Sequence, residues 1–184
     1  MSKIINKEEI MENFFKEPNR WFHVRELSRI LKINPSTTSK YLDKLRKEGF
    51  LDGKNERNYL LFKANTESYR YKDAKIYFNI KSIKESGLIN YIEKELHFPE
   101  IIILFGSYAK GEDNINSDID LFVISDIKKE LKLEKFEKKT NRKIEILIKN
   151  KKEFSDMKKN NKNLTNSILN GIILKGYLEV FSEF

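Results

Sequence analysis

Residues 101–123 read IIILFGSYAKGEDNINSDIDLFV, and this stretch sets the architecture of the C-terminal half. Ile101-Ile102-Ile103-Leu104-Phe105 is an unbroken apolar run of strand length, the pattern of a strand covered on both faces. Gly106-Ser107 ends it with a residue that permits a sharp turn and a small polar one. Ser117-Asp118 then leads into a second apolar strand over residues 119–125, and residues 144–148 predict a third. A helix is expected between the first two strands, and another over residues 127–140. The Lys/Asn-rich stretches at 149–152 and 158–162 read as solvated loops or helix ends. An apolar helix over residues 163–175, with Leu164, Ile168, Leu169, Ile172 and Ile173, is expected to close the chain.

The polar residues of this stretch carry its chemistry. Side chains alternate along a strand, so Asp118 and Asp120 share a face, about 7 Å apart. Such a pair can hold divalent ions, and Mg²⁺ prefers a few carboxylates completed by phosphate oxygens. Gly106 allows close approach of a ligand, and Ser107 adds a hydroxyl and an N–H where phosphate is favoured. Lys110 is a further candidate phosphate contact. Glu145 lies between Ile144 and Ile146, so it points away from its apolar neighbours. If the third strand pairs with the second, Glu145 joins the carboxylates and can accept the proton of a nucleophile.

Gly106-Ser107, ten intervening residues, then Asp118-Ile119-Asp120 resembles the signature of the DNA polymerase β-like nucleotidyltransferases. The likeness is greatest to the small prokaryotic minimal nucleotidyltransferases and covers roughly residues 98–175. It implies Asp118, Asp120 and Glu145 as ligands of Mg²⁺ or Mn²⁺, and the Gly106-Ser107 turn as the contact of a nucleoside triphosphate, ATP by default. It implies transfer of a nucleoside monophosphate to a hydroxyl acceptor. Some such proteins resemble antitoxins that modify a helical toxin, so a partner protein of that kind is expected by resemblance alone. The family more often has Asp at the third position. One extra methylene moves the carboxyl by about an ångström, a displacement that can cost about a hundredfold in rate. The alternative reading is therefore a regulator whose non-catalytic nucleotidyltransferase fold serves as ligand sensor or dimerisation unit.

Upstream, residues 6–17 predict a helix with Ile10, Phe14 and Phe15 inward, stopped by Pro18-Asn19. Residues 24–31 predict a second, Lys32-Ile33-Asn34 a tight turn, and Pro35 opens a third that ends at Gly49. A hairpin follows, with residues 53–58 as its loop. The stretch VRELSRILKINPSTTSKYLDKLRKEGFLDG over residues 24–53 resembles the winged helix-turn-helix of prokaryotic transcriptional regulators. In such motifs the second helix of the pair enters the major groove. Ser36, Thr37, Lys40, Tyr41 and Lys44 then face DNA, and Lys54 and Arg57 reach the backbone from the wing tip. Trp21 reads as core of this unit, and His23 and His97 as structural or surface residues.

Residues 65–97 are mostly helical, broken at Ser86-Gly87. The expected organisation is α+β: a winged helix over 1–64, a helical linker and candidate homodimer segment over 65–97, and an α/β nucleotidyltransferase domain over 98–184. The last should contain a small mixed sheet flanked by helices. A net charge of +8 on 184 residues favours an anionic partner, nucleic acid first. With no cysteine, disulfides and thiolate metal sites are excluded. No signal-like or membrane-length apolar run is visible, so a cytoplasmic, membrane-free protein is expected.

Overall fold

A computed structural model describes residues 6–57 and 59–178. Contacts divide the chain into two units, Met1–Phe78 and Asn79–Phe184. Among the described residues no helix is long and apolar enough to cross a membrane.

The first unit contains α1 (Lys7–Lys16), β1 (Phe22–His23), α2 (Val24–Leu31), α3 (Pro35–Lys47), β2 (Leu51–Glu56) and β3 (Tyr59–Ala64). Asn6 caps α1 through its side chain, and His23 caps α2 by accepting the Arg25 N–H on Nδ1. Lys32 takes the left-handed conformation that ends α2. Asn34 then accepts the N–H of Ser36, with Pro35 in the first turn of α3. Phe14, Leu27, Leu42 and Phe62 are fully buried and join these elements in one core. One expectation needs correction. The hairpin strand runs through Glu56, with Glu56 opposite Tyr59, so Gly53 to Glu56 are paired strand rather than loop. The ladder satisfies their backbone groups, which a free loop would leave to water. The sheet also gains β1, too short to announce itself, which pairs with β3 in the order β1-β3-β2.

The division between the units falls inside α4 (Tyr69–Ser86). Tyr71, early in this helix, lies in the first core and donates its hydroxyl to the carbonyl of Phe14 at 3.0 Å. Ile83, late in it, belongs to the second unit's core.

The second unit continues with α5 (Leu88–Glu95), β4 (Ile101–Phe105), α6 (Gly106–Lys110), β5 (Ile119–Ile124) and α7 (Glu134–Thr140). It ends with β6 (Ile144–Lys149), α8 (Lys151–Asn160), α9 (Lys162–Leu169) and β7 (Ile172–Gly176). The sheet order is β6-β5-β4-β7, with β5 and β6 parallel and the other pairs antiparallel, so it is mixed as expected. Alternation divides its side chains between two faces. Ile102, Leu104, Ile119, Leu121 and Val123 pack with α5, α6 and α7; Ile101, Ile103, Phe122 and Ile124 pack with Phe154 of α8 and Ile168 of α9. Burying Phe122 alone contributes about 1.5–3 kcal/mol.

Two more expectations fail here. Residues 127–133 are not helical: Ile127, Leu131 and Leu133 lie irregularly over the core, and the Lys132 N–H is taken by the Tyr91 hydroxyl. That contact replaces the helical bond, leaving only residues 134–140 as α7. The closing helix stops at Leu169, and Ile172 and Ile173 pair with Leu104 and Ile103 as β7. Gly171 makes the turn possible, because a side chain there would meet the Leu104 carbonyl at 2.5 Å. β-branched residues beside an open edge of β4 favour the ladder over another helical turn.

Candidate functional site

β4 delivers Gly106 and Ser107 at one end of the sheet, and β5 starts at that end because the two strands run antiparallel. Phe105 pairs with Asp120, so the Gly-Ser turn and the second aspartate are neighbours. Gly106 sits at φ +73°, where side chains are strained, and a Cβ on it would collide with the Asp120 carboxylate. The residue thus both turns the chain and leaves room for that carboxylate.

β6 runs parallel to β5 in a register that sets Glu145 opposite Asp120. Both alternate with residues of the α5–α7 face, so both lie on the face of Phe122 and Leu147. Asp118 stands one residue ahead of β5 and is half-buried, as is Asp120, whereas Glu145 is exposed. Burial first, then the charges of Glu145 and Asp118, push the Asp120 carboxyl above its ordinary value. Three carboxylates gathered so that two of them raise the proton affinity of Asp120 are a donor set that a divalent cation would relieve. Among the described residues no three acidic or histidine side chains form a ready-made ion cage. An open set suits Mg²⁺, which completes its shell with water and phosphate. Lys110 is exposed at the far end of α6. A cavity of about 610 Å³ opens beside Asp118, with Glu137, Lys138, Arg142 and Lys143 in its wall.

In the first unit, Thr38, Leu42 and Leu45 fix one face of α3 in the core. Ser36, Thr37, Lys40, Tyr41 and Lys44 all occupy the exposed side. The Ser36 hydroxyl donates to the Asn34 side chain at 2.9 Å, so that proton serves the cap. Arg57 lies at the wing turn with φ +48°, while Lys54 does not: it is mid-strand, opposite Leu61. Its ammonium pairs with Glu56 at 2.6 Å and lies over the Trp21 ring. Trp21 is half-buried and outside the core, flanked by Lys54 and Lys63, which corrects its reading as a core residue.

Residues 88–169 match the model of the nucleotidyltransferase domain family. The C-terminal half of the chain carries a nucleotidyltransferase domain. Residues 22–52, which hold α2 and α3, match the family described as bacterial regulatory protein, arsR family. The chain is thus a nucleotidyltransferase domain fused to an N-terminal helix-turn-helix. No curated protein and no solved structure matches it.

Sequence reasoning missed Asn79, Asp113 and Arg142, which meet in the interior of the second unit. Asn79 and Asp113 are buried, and the Arg142 side chain is 9% exposed. Asp113 and Arg142 sit in polar stretches of the sequence, where an acid or arginine reads as surface, and Asn79 lies between Phe78 and Ile80 on α4. Only the partner set, assembled from three separate segments, marks them out.

Proposed function

We propose that the chain transfers a nucleoside monophosphate from a nucleoside triphosphate, ATP in the first instance, to a hydroxyl acceptor, and that its N-terminal unit ties this activity to DNA. The observation that carries the proposal is the meeting of Asp120 with Glu145 in strand register, beside Asp118 and the Gly106-Ser107 turn. The family match supports transferase chemistry and the helix-turn-helix supports DNA binding. Asp118, Asp120 and Glu145 would hold Mg²⁺ or Mn²⁺, which as a Lewis acid would neutralise charge building on the phosphates.

The chain's own groups account for the remaining steps. Gly106 keeps the turn clear of side chain, and the Ser107 hydroxyl binds a phosphate oxygen. Glu145 takes the proton of the acceptor hydroxyl, whose oxygen attacks the α-phosphorus. The bond from that phosphorus to the oxygen bridging the β-phosphate breaks, and pyrophosphate leaves with the electron pair. Lys40, Lys44 and Arg57 would neutralise DNA phosphates, with Ser36, Thr37 and Tyr41 nearer the bases. A helical, toxin-like protein is the proposed acceptor partner, by resemblance to antitoxin nucleotidyltransferases. Residues 65–97 are the proposed linker and homodimer segment, where Tyr69 and Tyr77 are exposed on α4.

A second reading is favoured by the exposure of Glu145. In it, the domain senses a nucleotide for the regulator without turning it over. Label transfer from α-labelled ATP with Mg²⁺ or Mn²⁺, offering cell extract as acceptor, separates the two. The proposal expects transfer that is lost in Asp118→Ala/Asp120→Ala. Metal-dependent ATP binding without transfer would replace it with the sensor.

A further inference from the structure

The loop between α6 and β5 ends at Asp118 and has no regular secondary structure after Gly111. Part of its path is local: the Ser117 N–H donates to the carbonyl of Asn114 at 3.1 Å, and Ser117 Oγ accepts the N–H of Asn114 at 3.0 Å. The rest is imposed from outside. Asn79 of α4 donates from Nδ2 to Oδ1 of Asp113 at 2.7 Å and to the carbonyl of Tyr108 at 2.9 Å. Arg142, two residues ahead of β6, donates from Nη1 to the carbonyl of Ile115 at 3.2 Å. Its Nη2 stands 3.9 Å from Oδ2 of Asp113.

Arg142 also stands at the head of the neighbouring strand. The carbonyl of Lys143, the next residue, accepts the N–H of Ile119, the residue after Asp118, at 2.9 Å. Glu145 follows two residues later, opposite Asp120. One guanidinium therefore grips the loop that presents Asp118 and belongs to the segment that presents Glu145. A guanidinium serves the carbonyl and the carboxylate from two nitrogens held in one rigid plane, whereas an ammonium must serve both from a single nitrogen. A buried ion pair is seldom the most stabilising choice for a core, since apolar side chains of equal volume do as well or better. Here Nε of Arg142 finds no hydrogen-bond partner either. Position, rather than stability, is what such a side chain supplies.

We infer that Arg142 and Asp113 are positioning residues that set the separation of Asp118 from Glu145, and through it the affinity of the carboxylate site for a divalent cation. The inference rests on the carboxylate-site reading above. Groups that orient metal ligands from behind typically change metal affinity by about ten- to a hundredfold when removed.

The test is Mn²⁺ binding by electron paramagnetic resonance on the full chain, with hydrogen exchange of residues 113–118 followed in parallel. Arg142→Met is expected to weaken Mn²⁺ about tenfold or more and to speed exchange across the loop. Arg142→Lys, which keeps the charge and serves should the methionine variant not fold, is expected to recover only part of the affinity. Phe136→Leu, in the buried core of α7, is the control for general destabilisation and is expected to leave Mn²⁺ affinity unchanged. Wild-type affinity in both Arg142 variants, or equal weakening by Phe136→Leu, overturns the positioning role alone. Failure of the wild-type chain to bind Mn²⁺ overturns the carboxylate-site reading, and the inference with it.

Discussion

Gly106 faces Asp120 so closely that a side chain at position 106 would occupy the space of the Asp120 carboxylate. Gly87 has a similar backbone angle, φ +83° against +73°, but has nothing within 4 Å of a built Cβ. The two glycines therefore separate backbone strain from intrusion into the site.

Gly106→Ala and Gly87→Ala should each lose about 1–2 kcal/mol of stability through the left-handed conformation, read by urea unfolding. Only Gly106→Ala should also displace the carboxylate, with a fall in label transfer of about a hundredfold for a shift near 1 Å. Equal activity in the two variants would remove Gly106 from the site.

Asp120 supplies a pH prediction of defined sign. Its carboxyl is raised above the ordinary value of 3.8 by burial and by Glu145 and Asp118. The folded state then holds this proton more tightly than the unfolded state, so stability falls as pH rises from 3.8 through the folded value. Asp120→Asn should accordingly melt higher than wild type at neutral pH without metal, although it loses transfer. The gain should vanish below the ordinary carboxylate range. A neutral-pH melting temperature at or below that of wild type would show that the charges do not repel as described.

Tyr108 gives a second. Burial and the charge of Asp113 hold its phenol at about 12, against an ordinary value of 10.0. Stability should decline as pH rises from 10.0 to about 12, because the unfolded chain ionises first. Ultraviolet titration should show a late phenolate step whose amplitude falls by one tyrosine in Tyr108→Phe. A Tyr108→Phe titration curve with the late step at full amplitude would assign it elsewhere.

On the helix-turn-helix, Lys44→Ala and Arg57→Ala should each weaken DNA binding across sequences and reduce the salt slope by about 1. Lys54→Ala should do less, because its ammonium is already engaged by Glu56. The single tryptophan, Trp21, lies against Lys54 and Lys63 of the wing sheet, so its fluorescence should change when DNA is added. Emission unaffected by saturating DNA would place the wing outside the interface.

Much of the fold was legible because its signals are local. The apolar run of Ile101–Phe105, the Pro35 start of α3 and the Asn34 cap act over a few residues, and each appears where its chemistry dictates. Misreadings arose where a distant partner outweighed the local pattern. Ile172 and Ile173 fit an apolar helix face equally well, but the free edge of β4 drew them into a strand. Residues 127–133 gave up helical hydrogen bonds once the Tyr91 hydroxyl was within reach of Lys132. Trp21 is apolar enough for a core, yet two lysines cover it at the surface.

The sequence by itself determined that Asp118 and Asp120 belong together after a Gly-Ser turn, because residues two positions apart in the chain cannot be separated by folding. It also determined that α3 would show Lys40 and Lys44 outward, because Thr38, Leu42 and Leu45 recur at helical spacing. Only the tertiary structure decided that Glu145 stands opposite Asp120, since strand order is a choice among pairings with similar local energies. It alone brought Asn79, Asp113 and Arg142 together. A buried polar group needs partners, and those partners come from whichever segments the fold places within 3 Å or so, not from neighbours along the chain.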